Sequence, residues 1–325
     1  MSNLEREPQE TAGTGTAILT PTRELLTPRE VPLGGPRAML VRRTLPHRDR
    51  RAVGAWCFVD HYGPDDVSSS AGMRVPPHPH TGLQTVSWLL DGEVLHHDSL
   101  GSEATIRPGE LNLMTSGHGI AHSEQSPARH SPTLHGVQLW VALPDASRHQ
   151  APHFESHATL PVVSDPGMSI TVIAGSLGGA LSPAQMYSPI VGADLALDPG
   201  ATGHVPLEPA FEHAVLAMSG DVRVDGVEVP VGSLLYLGCG RDDLAVSAEG
   251  PQPARALLLG GEPFEEELVM WWNFVGRNHD EIAAARADWE AAALRFGQVH
   301  GYPGERLRAP ELPNSRLMPR PRARG

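Results

Sequence analysis

Seventeen histidines are present, ten of them before residue 136, and spacing selects among them. In Pro76-Pro77-His78-Pro79-His80 two imidazoles stand at i and i+2, and Gly117-His118-Gly119-Ile120-Ala121-His122-Ser123-Glu124 places His122 and Glu124 at the same spacing. Residues two apart share one face of an extended strand, so each run aims both side chains into one volume. Two such strands facing each other inside a small barrel bring His78, His80, His122 and Glu124 to one point. Three imidazoles and a carboxylate suit a first-row transition metal with open coordination positions. These donor types accept Fe, Mn, Co, Ni, Cu or Zn and leave the metal's identity open. A lone H-x-H run is ordinarily structural. Two pairs of matching parity, each beside a turn that can end a barrel strand, point to a metal.

The elements that must carry these residues are strands. Of 325 residues only 19% are charged, while Gly (34) and Pro (31) punctuate the chain, which excludes helix bundles and coiled coils. With 40% hydrophobic residues the chain has the means to bury a core. Short apolar or alternating runs bounded by turn residues read as strands at 55–59, 85–90 and 137–143, and again at 169–174, 214–218, 233–237 and 256–259. A weak internal repeat relates Leu90-Asp91-Gly92-Glu93-Val94 to Met218-Ser219-Gly220-Asp221-Val222, and Pro108-Gly109-Glu110-Leu111 to Val231-Gly232-Ser233-Leu234. The expected fold is therefore all-β, two tandem β-barrels joined near residues 144–168. Residues 1–30 are expected to be a flexible segment, 31–150 the first barrel and 165–270 the second. One helix is expected over Asp280–Phe296, capped by Asn278 or Asp280 and stopped by Gly297, with Ile282, Ala285, Trp289, Ala293 and Phe296 on its packed stripe. Residues 301–325 hold five prolines and six arginines and read as an extended, solvated tail.

Several function classes drop out. The net charge of −13 opposes general nucleic-acid binding but is compatible with a protein partner. All 25 basic residues are arginine, which fits a GC-rich genome. Cys57 and Cys239 make neither a disulfide framework nor a C-x-x-C site. Met1–Glu10 lacks the cationic and apolar regions of a signal peptide and no apolar run reaches the ~18 residues of a membrane span, so a cytoplasmic protein is expected. There is no phosphate loop, G-x-S-x-G or cysteine-nucleophile motif. His96 and His97 read as exposed rim residues beside a turn, and His135 as a buried structural imidazole. Trp88, Trp140 and Trp272 read as core, and Cys57 as a small hydrophobe. In the second barrel His204, Glu208 and His213 do not share the i, i+2 pattern, and that domain is expected to be metal-free.

The runs His78-Pro79-His80-Thr81-Gly82-Leu83-Gln84-Thr85-Val86, His96-His97-Asp98-Ser99-Leu100-Gly101-Ser102, Pro108 through Glu124 and His135-Gly136-Val137-Gln138-Leu139-Trp140-Val141 resemble those of the pirins, a branch of the cupin superfamily. The likeness is strongest over residues 35–145 and returns at Gly260-Gly261-Glu262-Pro263-Phe264 and Trp272-Asn273-Phe274-Val275. It implies two tandem cupin jelly-roll barrels with one mononuclear metal, usually iron, in the first. The family's ligands fall on His78, His80, His122 and Glu124, the set chosen by parity. Gln84 departs from the pattern, standing where many cupins and well-studied pirins carry Glu; on an unbroken strand it shares the parity of His78 and His80 and faces the cavity. His118, where Arg is common in pirins, lies between two glycines at the barrel mouth.

The resemblance implies a quercetin 2,3-dioxygenase-type activity on a small aromatic substrate with O2, the ring opening with release of CO. Glu124 would then be the base that takes the substrate's hydroxyl proton, with Gln84 or His118 as lesser contacts. Two other readings stay open at this point. One is a non-enzymatic iron or redox sensor that binds a regulatory protein; the other is a closed structural Zn site.

Overall fold

The computed structural model describes residues 11–13, 21–33 and 39–319. The first barrel pairs a seven-stranded antiparallel sheet, ordered His153–His157, Leu111–Thr115, Leu83–Asp91, Thr133–Ala142, Trp56–Asp66, Met39–Leu45, Arg29–Leu33, with a four-stranded sheet ordered Arg74–His80, Ile120–Gln125, Val94–Asp98, Glu103–Ile106. The second repeats the plan. Its larger sheet runs Val162–Asp165, Met168–Leu177, Ile190–Leu197, Ala254–Gly261, Glu212–Ser219, Leu234–Gly238, Pro21–Leu26, and its smaller one Thr202–Pro206, Asp243–Ala248, Val222–Val224, Val227–Val229. The chain is thus an all-β bicupin. The internal repeat has a structural counterpart: a long strand ends at Asp91 in one barrel and Ser219 in the other, and Gly92 (φ 85°) and Gly220 (φ 71°) turn the chain into the smaller sheet.

The two larger sheets pack against each other. Trp56, Val86, Leu113, Leu139, Ile173, Ala214, Leu257 and Leu259 belong to one buried cluster drawn from both. Polar bonds cross it, from the Trp88 indole to Asp194 (3.0 Å) and from the Gly54 amide to Glu212 (2.8 Å). On the strand Leu83–Asp91 the even residues therefore face the second barrel, while Leu89 packs with Val75, Val94 and Ile106 inside the first.

Each barrel is completed by the far end of the chain. Pro21–Leu26, expected to be flexible from its composition, is a strand at the edge of the second barrel's larger sheet, with Leu26 buried. Residues 1–10 and 14–20 of that segment lie outside the described residues. The hairpin Leu268–Trp271 and Phe274–Gly276 returns to the first barrel, where Phe274 bridges Thr81 and the Val275 amide donates to the Thr81 carbonyl (3.0 Å).

The helix begins as expected, the Asn278 side chain accepting from the Glu281 amide, and buries Ile282, Ala285 and Trp289. It ends earlier, at Glu290, because the chain turns at Ala292 (φ 54°); a separate 3-10 turn, Leu294–Phe296, brings Phe296 into the same core. The tail is extended and mostly exposed over 301–319, but it is anchored at a few points. Ala309 and Leu317 are buried against the helix, the Leu307 amide donates to the Pro77 carbonyl (2.8 Å), and Arg306 donates to the last helical carbonyls, Trp289 and Glu290. Residues 320–325 lie outside the described residues. Among the described residues no helix is long and apolar enough to cross a membrane.

Candidate metal centre

The strands Arg74–His80 and Ile120–Gln125 are hydrogen-bonded neighbours, with His122 directly opposite His78 and Ile120 opposite His80. Parity then places His78, His80 and His122 on the inner face of the smaller sheet. Their potential ligand atoms lie within 4.8 Å of one another, and all three are at most 1% exposed. Beyond His122 the register slips, Glu124 pairing with Val75, so that Pro76 and Pro77 oppose Ser123 alone. Neither proline has an amide to give the ladder, which is where a bulge costs least. Glu124 is buried beside the cluster but is not among the three residues that converge within 4.8 Å.

Outer contacts decide which ring nitrogens are available. Nδ1 of His78 stands 2.9 Å from the Pro76 carbonyl and Nδ1 of His80 stands 3.2 Å from the Asn273 carbonyl. A carbonyl only accepts, so both rings carry their proton on Nδ1 and present bare Nε2 atoms. His78 Nε2 is buried with no hydrogen-bond partner, and His80 Nε2 lies 3.1 Å from His122 Nε2. Two imidazole nitrogens at right angles on one cation, each about 2.1 Å from it, stand about 3 Å apart. Burial pushes the pKa of all three imidazoles well below the usual histidine range, with the neighbouring imidazoles adding to the effect at His78 and His122. They are neutral and ready to coordinate. The donor set fits a divalent metal.

Behind His122 stand His96, expected on the exposed rim, and Asp98. Nδ1 of His122 is 3.3 Å from Nδ1 of His96, whose Nε2 is 3.3 Å from Oδ2 of Asp98. His96, His97 and Asp98 are all buried. Strand Val94–Asp98 pairs with Ile120–Gln125 so that Asp98 opposes His122 and His96 opposes Glu124, which puts both on the inner face. The signal was available as the alternation His96, Asp98 before the turn at Ser99. His97 points the other way, under Gly301 of the tail, where an added Cβ would stand 2.7 Å from its ring. Aromatic rings hem the cluster: Trp140 meets His80 edge-on at 5.2 Å, and Phe154 stacks on His96 at 4.5 Å.

Gln84 is not in the cavity. Gly82 (φ 70°) ends the strand after His80, and Leu83–Asp91 belongs to the opposite sheet. Gln84 there shares the outward face of Trp88, its amide donating to Thr115 (2.9 Å) and to the Gln185 carbonyl of the second barrel (2.9 Å). His118 is an exposed turn residue beside Arg148, His149 and Arg295 on a cleft of about 210 Å³. His135 is buried, its Nε2 2.9 Å from that of His61. In the second barrel His204 pairs with Asp243 at the surface (2.7 Å), Glu208 is exposed and His213 is buried alone, so the three do not converge. A larger groove of about 520 Å³, lined by Pro77, Ala121, Trp289, Phe296 and Arg306, lies on the outer side of the smaller sheet, and none of the four donors lines it.

Known proteins resemble this chain in sequence and fold. Residues 38–141 match the pirin family model and residues 192–297 that of the pirin C-terminal cupin domain. A Pseudomonas aeruginosa protein provisionally named quercetin 2,3-dioxygenase is 47% identical over 290 residues, 89% of this chain and 90% of its own length. Human pirin is 33% identical over 239 residues, 71% of this chain and 81% of its own. A crystal structure described as quercetin 2,3-dioxygenase from Acinetobacter baumannii is 40% identical and superposes with a TM-score of 0.86, covering 90% of this chain and 96% of that one. With its buried histidine triad in the first of two cupin barrels, the chain belongs to the pirin family.

Proposed function

We propose that this chain is an iron-dependent dioxygenase that opens flavonol-type aromatic substrates with O2, the metal being held by His78, His80, His122 and Glu124. The convergence of three buried, neutral imidazoles is the observation that carries the reading. Glu124, buried beside them, gains a counter-charge when a divalent cation binds. The names of the Pseudomonas and Acinetobacter proteins support the substrate class.

A bound divalent metal would supply Lewis acidity, which eases ionisation of a phenolic hydroxyl, and a redox centre for O2 chemistry. Glu124 would take up the hydroxyl proton at one of its oxygens. Trp140 presents its ring edge-on to His80, and Phe154 stacks on His96 behind His122. Gln84, bonded across the interface between the barrels, takes no part in the proton transfer.

The test is O2 consumption with quercetin by protein reconstituted with Fe(II), against His122→Ala. Turnover that disappears in the variant supports the reading. Absence of turnover from protein holding about one iron per chain refutes it for this substrate and favours a second reading, a metal-dependent sensor. That alternative draws on the near-complete burial of all four donors and on the Asn273 carbonyl, through which the C-terminal hairpin touches His80.

A further inference from the structure

His78 and His80 direct their Nδ1 protons to backbone carbonyls, whose accepting role does not depend on a side chain. His122 differs, because its Nδ1 meets another imidazole that could either donate or accept. The direction is set one residue further out. Asp98 carries no proton to give, so a neutral His96 holds its one proton on Nε2 and donates it to Oδ2. Nδ1 of His96 is then an acceptor, and His122 must keep its proton on Nδ1. Its Nε2 is left bare, facing the equally bare Nε2 of His80 at 3.1 Å. Stacking on Phe154, with ring planes 13° apart, holds the His96 ring in place.

We infer that His96 and Asp98 are positioning residues whose hydrogen-bonded relay locks His122 in the tautomer that can bind metal. This inference rests on the metal-centre reading of the histidine triad and goes beyond it by assigning these two residues. The carboxylate itself cannot rotate away, since Oδ1 accepts from the amides of Leu100 (2.9 Å) and Ser102 (3.0 Å). That anchoring makes Asp98→Asn a specific lesion. The amide oxygen has to stay on the two backbone donors, so the NH2 group takes the place of Oδ2 and donates to His96. His96 is driven to the Nδ1–H form and His122 to Nε2–H. The inverted proton now bridges His122 and His80, and it occupies the coordinating lone pair. An isosteric change thus reverses every donor in the chain, whereas His96→Phe only removes the acceptor and leaves His122 free to choose.

The experiment measures affinity for Zn(II) and Co(II) by chelator competition in the full chain, with histidine tautomers read from 15N–1H long-range NMR of the metal-free protein. Asp98→Asn is expected to weaken both metals by about 10- to 100-fold, the usual cost of losing an outer partner of a ligating histidine. His96→Phe weakens them less, and adding Asp98→Asn to His96→Phe brings no further loss. His122 reads as Nδ1–H in the parent protein and Nε2–H in Asp98→Asn. Unchanged affinity in Asp98→Asn, the same loss in both backgrounds, or an Nδ1–H His122 in the variant overturns the relay while leaving the metal centre standing. Failure of the parent protein to bind either metal overturns both.

Discussion

His213 offers a quantitative test of the view that the second barrel is structural. It shares a strand face with Val215 and Ala217 in an apolar core, it is 1% exposed, and neither ring nitrogen has a partner. Burial lowers its pKa to about 4, against 6.5 for an ordinary histidine. Above pH 6.5 the imidazole is neutral in folded and unfolded chains alike and adds no pH dependence. As pH falls below 6.5 the unfolded chain takes the proton first, so stability is lost progressively until the folded pKa is passed. At pH 5 that loss is about 2 kcal/mol, from 1.5 pH units at about 1.36 kcal/mol each, and near pH 4 it is about 3 kcal/mol. His213→Leu, of similar volume, removes this loss together with the roughly 1–3 kcal/mol cost of burying an unmatched polar ring. Urea unfolding of metal-free parent and variant should show the variant more stable at pH 8, with its advantage about 2 kcal/mol larger at pH 5. A pH-independent difference, or destabilisation at both values, refutes the reasoning. Loss of metal uptake in His213→Leu would show instead that the second barrel takes part in the site.

His78→Ala and His80→Ala should each abolish stoichiometric metal uptake, checked by equilibrium dialysis and elemental analysis. Arg43→Met should cost about 3–5 kcal/mol in chemical denaturation, because it leaves Asp60, now bonded to it at 2.7 and 2.8 Å, charged and buried; most of the loss should return in Arg43→Met with Asp60→Asn. Gly82→Ala should lower metal affinity with little change in secondary structure: φ is 70°, and a Cβ there would collide with the Val275 carbonyl oxygen, pushing away the hairpin that carries Asn273. Ending the chain at His300 should lower the thermal midpoint and speed amide exchange in Arg74–His80, since it removes the Leu307–Pro77 bond and the tail's packing on Trp289.

Sequence reading succeeded where a rule is local and has a fixed period. The two-residue repeat of a strand placed His78 with His80, and the pairing with Ile120–Gln125 added His122. The helical stripe gave Ile282, Ala285 and Trp289 for the same reason. Parity failed at Gln84 because it holds only within one strand, and the left-handed Gly82 moves the chain to the other sheet. Parity also holds at His96 and Asp98, although nearness to a turn suggests an exposed rim there; the turn begins at Ser99, and Asp98 is the last paired residue. Composition alone shows neither the Pro21–Leu26 strand nor the anchoring of the tail. Proline and arginine content says that a segment makes no regular element, but not whether its amides and guanidinium groups find carbonyls elsewhere, as Leu307 and Arg306 do.

The same long-range bonds set a limit on where the site can be said to reside. All four proposed donors lie between residues 78 and 124, inside the segment 38–141 that matches the pirin family model. Yet the acceptor that fixes the tautomer of His80 is the carbonyl of Asn273, 193 positions away, on a hairpin docked at Thr81. The carbonyl of Pro77, next to His78, is held by Leu307 of the tail. A first barrel without these segments keeps every donor atom but loses an acceptor that orients one of them. The Pro21–Leu26 strand makes the second barrel depend on the first half of the chain in turn. With each barrel closed by the other's end of the chain, the unit that would hold the metal is the whole bicupin: the C-terminal half, with no converging donors among its described residues, supplies through Asn273 an acceptor that orients His80 of the first barrel.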